Sequence, residues 1–290
     1  MYQTHFGLRE LPFTITPDTS FFFGHASHQE TLNMLLVAAR SGEGFIKVIG
    51  EVGTGKTLLC RKFLGALDQD GFVTAYIPNP YVGPMTLLLA VADELGIDYP
   101  ERLNQHDLLK LLTRYLLDAH ANERRVVLCL DEAQAMPIET LEALRLLTNL
   151  ETERRKLMQV VLFGQPELNA KLDNPAIRQL KQRISFSGGL VPLSLSDIEY
   201  YIAHRLSIAG YNGPRLFTDA AIKRLYRASR GVPRLVNILS HKALMAAFGE
   251  GVHEVDARNV KMAVRDTESV HGAWLQRMRL TKWLVPRARI

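Results

Sequence analysis

The sequence predicts an α/β protein: a five-stranded parallel sheet flanked by helices, followed by a small all-helical domain. Three observations predict it. Up to Pro192, short apolar runs alternate with helix-length amphipathic segments, the pattern of parallel strands joined by helical crossovers. After Pro192 only helical patterns remain. A glycine-rich turn ending in Lys56-Thr57 follows the first apolar run and opens a helix, the context of an anion-binding loop.

Residues 1–24 are rich in Phe, Pro and Thr and read as irregular. Ser27 and Glu30 have capping-box spacing, and Leu32, Leu35 and Leu36 carry a helix to about Arg40. The strand candidates are residues 45–49, 73–77, 126–130 and 159–163, with a fifth near 184–193. Helices are expected between them at 56–67, 84–95, 107–119 and 137–150. Beyond them, Ser196 and Glu199 suggest a second capping box, for a helix ending near Ala209. Thr218 is an N-cap for the next helix, Gly231 breaks that helix, Pro233 opens a third, and a fourth covers 256–267. The expected domains are residues 1–193, a helical domain 194–268 and a basic tail 269–290.

Composition narrows the class. A chain of 290 residues with 47% hydrophobic and 22% charged residues is an ordinary globular protein, which excludes disordered, collagen-like and low-complexity classes. Cys60 and Cys129 lie in apolar stretches and read as core residues of a reducing compartment, too few for a disulfide framework or a zinc site. No apolar run approaches the roughly 20 residues of a membrane span. The first residues lack the basic-then-apolar pattern of a signal peptide, so the expected location is the cytoplasm. The net charge of +5 belongs to the end of the chain, where Arg277, Arg279, Lys282, Arg287 and Arg289 follow the last acidic residue, Glu268. The balanced body argues against nucleic acid as a partner. Trp274, Leu275, Met278, Leu280, Trp283 and Leu284 interleave the basic residues of the tail. That pattern suits an anionic membrane surface, a membrane-bound partner, or packing on the protein's own body.

Gly50-Glu51-Val52-Gly53-Thr54-Gly55-Lys56-Thr57 fits G-x-x-x-x-G-K-[ST] in full. Backbone N–H groups of such a loop turn inward around phosphate oxygens, and the following helix adds positive potential. Gly50, Gly53, Thr54, Gly55, Lys56, Thr57 and Leu58 are therefore the expected nucleotide-binding residues. Lys56 is expected to reach the β- and γ-phosphates, and the Thr57 hydroxyl to ligate Mg²⁺. A second motif, Val126-Val127-Leu128-Cys129-Leu130-Asp131-Glu132, ends an apolar strand in two carboxylates. Asp131 would hold Mg²⁺ through its water shell, and Glu132 would deprotonate the attacking water. Together the motifs point to Mg²⁺-dependent hydrolysis of ATP.

With these motifs the sequence resembles the AAA+ ATPases over about residues 10–268, including Gly231-Val232-Pro233-Arg234 in the helical part. More narrowly it resembles the ATPase family of the type II secretion A component. That resemblance rests on Phe6-Gly7, Leu11-Pro12-Phe13, Gly44-Phe45, Asp131-Glu132-Ala133-Gln134 and Phe163-Gly164-Gln165-Pro166-Glu167-Leu168. Gln182-Arg183-Ile184 and Tyr201-Ile202-Ala203-His204-Arg205-Leu206 complete it. Within the family, pattern and length are nearest to the member serving biogenesis of the mannose-sensitive haemagglutinin pilus.

The resemblance implies further roles. Gln165 would be the sensor 1 residue, between the carboxylates and the γ-phosphate. Arg183 would be an arginine finger reaching a neighbouring subunit's site, with Arg178 as the second candidate, and Arg234 would be sensor 2. Each would donate to a transition state whose charge is spread over phosphoryl oxygens. A finger acting in trans implies a nucleotide-dependent homo-oligomer, expected to be a ring. Pro12, Phe13 and His25 on one side and Val232 and Pro233 on the other are expected to enclose the adenine. Phe21-Phe22-Phe23 reads as core, and the remaining histidines as surface or core. The implied function is assembly of a type IV pilus or type II secretion machine, with inner-membrane components of that machine as partners. Peripheral attachment to the inner membrane is the expected location. Family members with a periplasmic role continue into a membrane span and a peptidoglycan-binding domain. Neither appears before Ile290, so no direct cell-wall role is expected. A DNA-acting AAA+ ATPase, of the transposition-helper or loader type, is the alternative, and a nucleotide-gated adaptor is the third reading.

Overall fold

In chain order the elements are α1 (Tyr2–Phe6), α2 (Ala26–Ser41), β1 (Phe45–Gly50), α3 (Lys56–Gln69), β2 (Val73–Ile77), α4 (Pro84–Glu94) and α5 (Gln105–Ala121). They continue with β3 (Val126–Leu130), α6 (Ile138–Thr148), β4 (Met158–Gly164), α7 (Glu167–Leu172), α8 (Arg178–Gln182) and β5 (Ile184–Leu190). The last four are α9 (Leu195–Ile208), α10 (Asp219–Ser229), α11 (Pro233–Gly249) and α12 (Ala257–Arg265). The computed structural model describes residues 2–148 and 156–268. The tail expected at 269–290, with both tryptophans, lies outside the described residues.

The chain divides into two units, one spanning 24–191 and the other joining the first 23 residues to the chain from Pro192 onward. In the first unit the strands form one five-stranded sheet in the order β2-β3-β4-β1-β5, every adjacent pair parallel. β3 and β4 are buried at every residue, whereas the edge strand β5 alternates half-buried and exposed positions up to Leu190. This is why the central strands read as unbroken apolar runs in the sequence: helices cover both of their faces. α5 shows the complementary period, burying Leu108, Leu112 and Leu116 at four-residue spacing while Asn104 accepts the Asp107 N–H at 2.9 Å as its N-cap. Cys60 and Cys129 are both buried free thiols. Their mutual hydrogen bond and burial hold the Cys60 thiol well above its ordinary range.

The helical unit is built from α9 to α12 around a core that includes Ile198, Leu206, Leu225, Leu239 and Val260. The first residues of the chain are part of that core. Tyr2, Phe6, Leu8, Phe13 and Phe21 are buried in it, so the expected boundary of 1–193 for the α/β domain is corrected to a start near residue 24. Arg205 fastens this segment. It is 4% exposed, donates from Nε to the Pro12 carbonyl at 2.5 Å and from a guanidinium nitrogen to the Tyr201 hydroxyl at 3.2 Å, and lies 4.5 Å from the centre of the Phe21 ring. A buried guanidinium needs such acceptors and an aromatic face to offset its lost hydration.

Both expected capping boxes are corrected. α2 starts at Ala26 with His25 at its N-cap and no side-chain cap bond, and Ser27 Oγ lies 3.1 Å from His25 Nδ1 instead. The box of α9 is formed by Ser194 and Asp197, two residues earlier than expected, while Glu199 pairs with Arg215 at 2.9 Å. The start of α9 is set by the segment before it. The Leu193 N–H donates to the Gly231 carbonyl at 2.8 Å, which leaves Ser194 as the first residue free to cap. Gly231 has φ +78°, and a Cβ there would lie 2.0 Å from the Leu193 carbonyl oxygen.

Gly231→Ala must therefore move backbone as well as occupy a left-handed conformation. We expect a loss of about 2–4 kcal/mol in denaturant unfolding. Gly65→Ala, at an exposed site inside α3 with nothing near its Cβ, should instead gain about 0.5–1 kcal/mol. Equal effects of the two substitutions would refute this reading of the Gly231 contact.

Candidate functional site

β1 runs straight into the glycine loop, and the loop into α3. Gly55, the N-cap of α3, has φ +98°, and a Cβ there would meet His28 Nε2 at 3.1 Å. Glycine thus allows the turn and leaves room for the His28 ring beneath it. His28, from α2, is buried and its Nε2 lies 2.8 Å from the Thr54 carbonyl, so the loop rests on a side chain from the preceding helix. Burial pulls the His28 pKa below its ordinary value, which keeps the ring neutral against the loop. The Thr54 hydroxyl donates to the Glu51 carbonyl at 2.8 Å and closes the turn internally.

Lys56 is 5% exposed and its Nζ donates to the Gly50 and Glu51 carbonyls at 2.9 and 3.2 Å. Burial lowers its pKa, and the nearby carboxylates of Glu132, Asp131, Glu51 and Glu167 oppose that shift. A buried ammonium whose hydrogen bonds go to carbonyls suits an anionic ligand, which offers charge as well as acceptors.

β3 runs parallel to β1 with β4 between them, which brings the second motif to the same end of the sheet. Thr57 donates its hydroxyl to Asp131 Oδ2 at 2.5 Å, and the Tyr76 hydroxyl lies 3.5 Å from the same oxygen. Asp131 Oδ1 accepts the Glu132 N–H at 2.9 Å. Burial raises the Asp131 pKa, and the Thr57 and Glu132 bonds work against it. Burial, then Asp131, raises the Tyr76 phenol above its ordinary range. Among the described residues no three His, Cys, Asp or Glu side chains form a metal cage. Mg²⁺ at a phosphate site takes one or two protein oxygens and fills its sphere with phosphate and water. The Thr57 hydroxyl and Asp131 carboxylate fit that donor set.

Glu132 adopts φ 52° and ψ 35°, a left-handed conformation that costs a non-glycine residue about 1–2 kcal/mol. The turn redirects its side chain toward the end of β4. There Gln165 Nε2 donates to Glu132 Oε2 at 3.0 Å, and Gln134 Nε2 donates to the same oxygen at 2.5 Å.

Thr57, Asp131, Glu132 and Gln165 are therefore linked by hydrogen bonds in one unit, and Lys56 precedes Thr57 at the start of α3. Gly50, Gly53 and Leu58 belong to the same loop and helix start. Arg178 is exposed at the start of α8, and Arg183 is half-buried at its C-cap, directly before β5. Arg234 is exposed in the first turn of α11 and belongs to the other unit. The expected adenine contact from Phe13 is corrected. Its ring is 2% exposed and packs edge-on against Phe217 at 6.1 Å inside the helical core. Sequence reasoning gave no role to His28 and used Gln134 only as part of a motif. A glutamine two residues beyond a carboxylate pair was the available signal for the second. Nothing in the sequence marked the first.

The site and sheet define the class: the fold is that of the AAA-type P-loop NTPases, with a helical C-terminal region. Residues 39–172 match the family model described as AAA domain, and the chain carries that domain. The chain is 41% identical over 276 residues to general secretion pathway protein A of Aeromonas hydrophila, a match covering 94% of this chain and 50% of that protein. It thus spans about half the length of this curated relative. Among solved structures it resembles Cdc6p of Pyrobaculum aerophilum, with a TM-score of 0.66 at 19% identity over 86% of this chain and 70% of that one. It also resembles the Aeropyrum pernix ORC1 protein in complex with DNA, with a TM-score of 0.62 at 19% identity over 88% and 69% of the two chains. The Thermotoga maritima RuvB Holliday junction branch migration motor gives 0.56 at 18% identity, over 87% and 73%. At these identities the structural likenesses show the fold alone.

Replacing the buried ammonium tests the anion site without assuming turnover. Lys56→Ala should weaken binding of a fluorescent ATP analogue by about 100-fold or more, from lost charge-assisted bonds, with the circular dichroism spectrum unchanged. Undiminished binding would remove Lys56 from the site.

Proposed function

We propose that this chain is a Mg²⁺-dependent ATPase that serves assembly of a type IV pilus, of the mannose-sensitive haemagglutinin kind, or of a type II secretion machine at the inner membrane. The observation that carries the ATPase reading is the 2.5 Å contact between the Thr57 hydroxyl and Asp131 beside the buried Lys56 ammonium. The assembly role is supported by the likeness to general secretion pathway protein A and by the sequence motifs shared with that family.

The P-loop N–H groups would hold the β- and γ-phosphates, and Lys56 would exchange its carbonyl acceptors for phosphate oxygens. Thr57 and Asp131 would hold Mg²⁺, which when bound offsets phosphate charge. Glu132 would accept a proton from water as the water oxygen attacks the γ-phosphorus and the bond to ADP breaks. Gln165, whose Nε2 donates to the Glu132 carboxylate at 3.0 Å, would turn to orient that water or a γ-phosphate oxygen. Arg183, or Arg178, would reach the site of a neighbouring copy, and Arg234 would donate to the γ-phosphate from the helical unit. This division of labour calls for a nucleotide-dependent homo-oligomer, in ring form, with inner-membrane pilus or secretion components as partners. Among the described residues no helix is long and apolar enough to cross a membrane. Cytoplasmic placement, with peripheral attachment to the membrane through the basic tail, completes the proposal.

Glu132→Gln should retain nucleotide binding and lower hydrolysis by about 10²–10⁴-fold. Arg183→Ala should also lose turnover, and mixing it with Glu132→Gln subunits should restore part of it, because each variant supplies what the other lacks. Normal hydrolysis by Glu132→Gln would overturn the assignment of the base. Failure of every mixture to recover activity would overturn the finger in trans.

A further inference from the structure

We propose that Gln134 is a positioning residue for hydrolysis, a side-chain amide that fixes the Glu132 carboxylate against the end of β4. The inference rests on the ATPase reading and deepens it.

The Gln134 amide is engaged at both ends. Its Oε1 accepts the backbone N–H of Gln165 at 3.0 Å, and its Nε2 donates to Glu132 Oε2 at 2.5 Å. The orientation of the amide follows from chemistry. The Gln165 N–H can only donate and a carboxylate can only accept, so a flipped amide would lose both bonds. The backbone of Gln134 is held as well. Lys171, from α7, donates its Nζ to the carbonyls of Gln134 and Met136, each at 2.6 Å. Gly164, the last residue of β4, leaves space on the remaining side: a Cβ there would lie 3.4 Å from Gln134 Oε1 and 2.7 Å from Leu168 Cδ2.

The consequence is a division between two donors on one oxygen. Gln165 reaches Glu132 Oε2 with a side chain whose backbone alone is tied, so its amide is free to turn to another acceptor. Gln134 has no such freedom, since turning it breaks the bond to the Gln165 N–H. When Gln165 leaves for a phosphate oxygen or the attacking water, Gln134 keeps the carboxylate in place. Without Gln134, a side chain launched from a left-handed residue on a loop would sample several rotamers at the moment the base is needed.

The test separates positioning from binding. Gln134→Met keeps the volume and removes both hydrogen-bonding ends, and Gln134→Ala removes the side chain. For both, kcat should fall about 10–100-fold, the cost expected of a misplaced catalytic group, while KM and the dissociation constant for an ATP analogue stay within about threefold. In a Glu132→Gln background, Gln134→Met should cause no further fall in hydrolysis, because its effect runs through the carboxylate. Wild-type turnover in both Gln134 variants, or a loss of nucleotide affinity equal to the loss of kcat, would overturn the inference and leave the ATPase reading intact. A wild-type chain that binds ATP and releases no phosphate would overturn that reading itself, and this inference with it.

Discussion

The parallel adjacency of β3, β4 and β1 is the constraint on which the site depends. In a parallel sheet all carboxyl ends lie on one edge, so the loops that follow neighbouring strands meet there whatever their distance in sequence. The P-loop follows β1, the carboxylate pair follows β3, and Gln165 follows β4. Register converts adjacency into contact. Leu130 pairs with Leu162, which leaves Asp131 and Glu132 beyond the last paired residues and close to the β4 end. No single loop residue creates the constellation. The buried ladder does, and the apolar residues of α4, α5 and α6 that cluster with it keep it buried.

The polar groups of the site are placed where hydration is poor, and each is stabilised by a specific partner. Lys56 uses backbone carbonyls, Asp131 uses a hydroxyl and an N–H, and Glu132 uses two amides. Such contacts hold charges ready for a ligand without committing them to one another. The Lys56 ammonium makes no ion pair in this network. Its hydrogen bonds go to the Gly50 and Glu51 carbonyls, although four carboxylates lie near enough to oppose the lowering of its pKa. Within the site, Glu132 has a left-handed backbone, and its side chain meets Gln134 and Gln165.

Much of this was legible in the sequence, for identifiable reasons. The strand at 126–130 is read directly because a buried parallel strand is a continuous apolar run bounded by polar residues. Helix starts were harder. The spacing of Ser27 with Glu30 and of Ser196 with Glu199 matches a capping box, yet the actual starts are fixed by tertiary contacts, such as Leu193 on Gly231. The first 23 residues carry no period, because their aromatic residues bury individually in a core made by residues nearly 200 positions away. In the site, the P-loop and the carboxylate pair are contiguous motifs and so were visible. Gln134 and His28 were not, since their roles arise from contacts with Gln165 and Thr54, 31 and 26 residues distant. α7 and α8 were missed because helices of five or six residues are too short to show amphipathic periodicity.

The proposed function is ATP hydrolysis in the service of a membrane-bound machine. Phosphate release from ATP, measured with protein alone, with anionic liposomes and with duplex DNA, tests it most directly. The account predicts Mg²⁺-dependent release that liposomes increase and DNA leaves unchanged. Absence of release under all three conditions would contradict the enzyme, and stimulation by DNA alone would contradict the membrane role and restrict the likeness to secretion ATPases to fold and nucleotide chemistry.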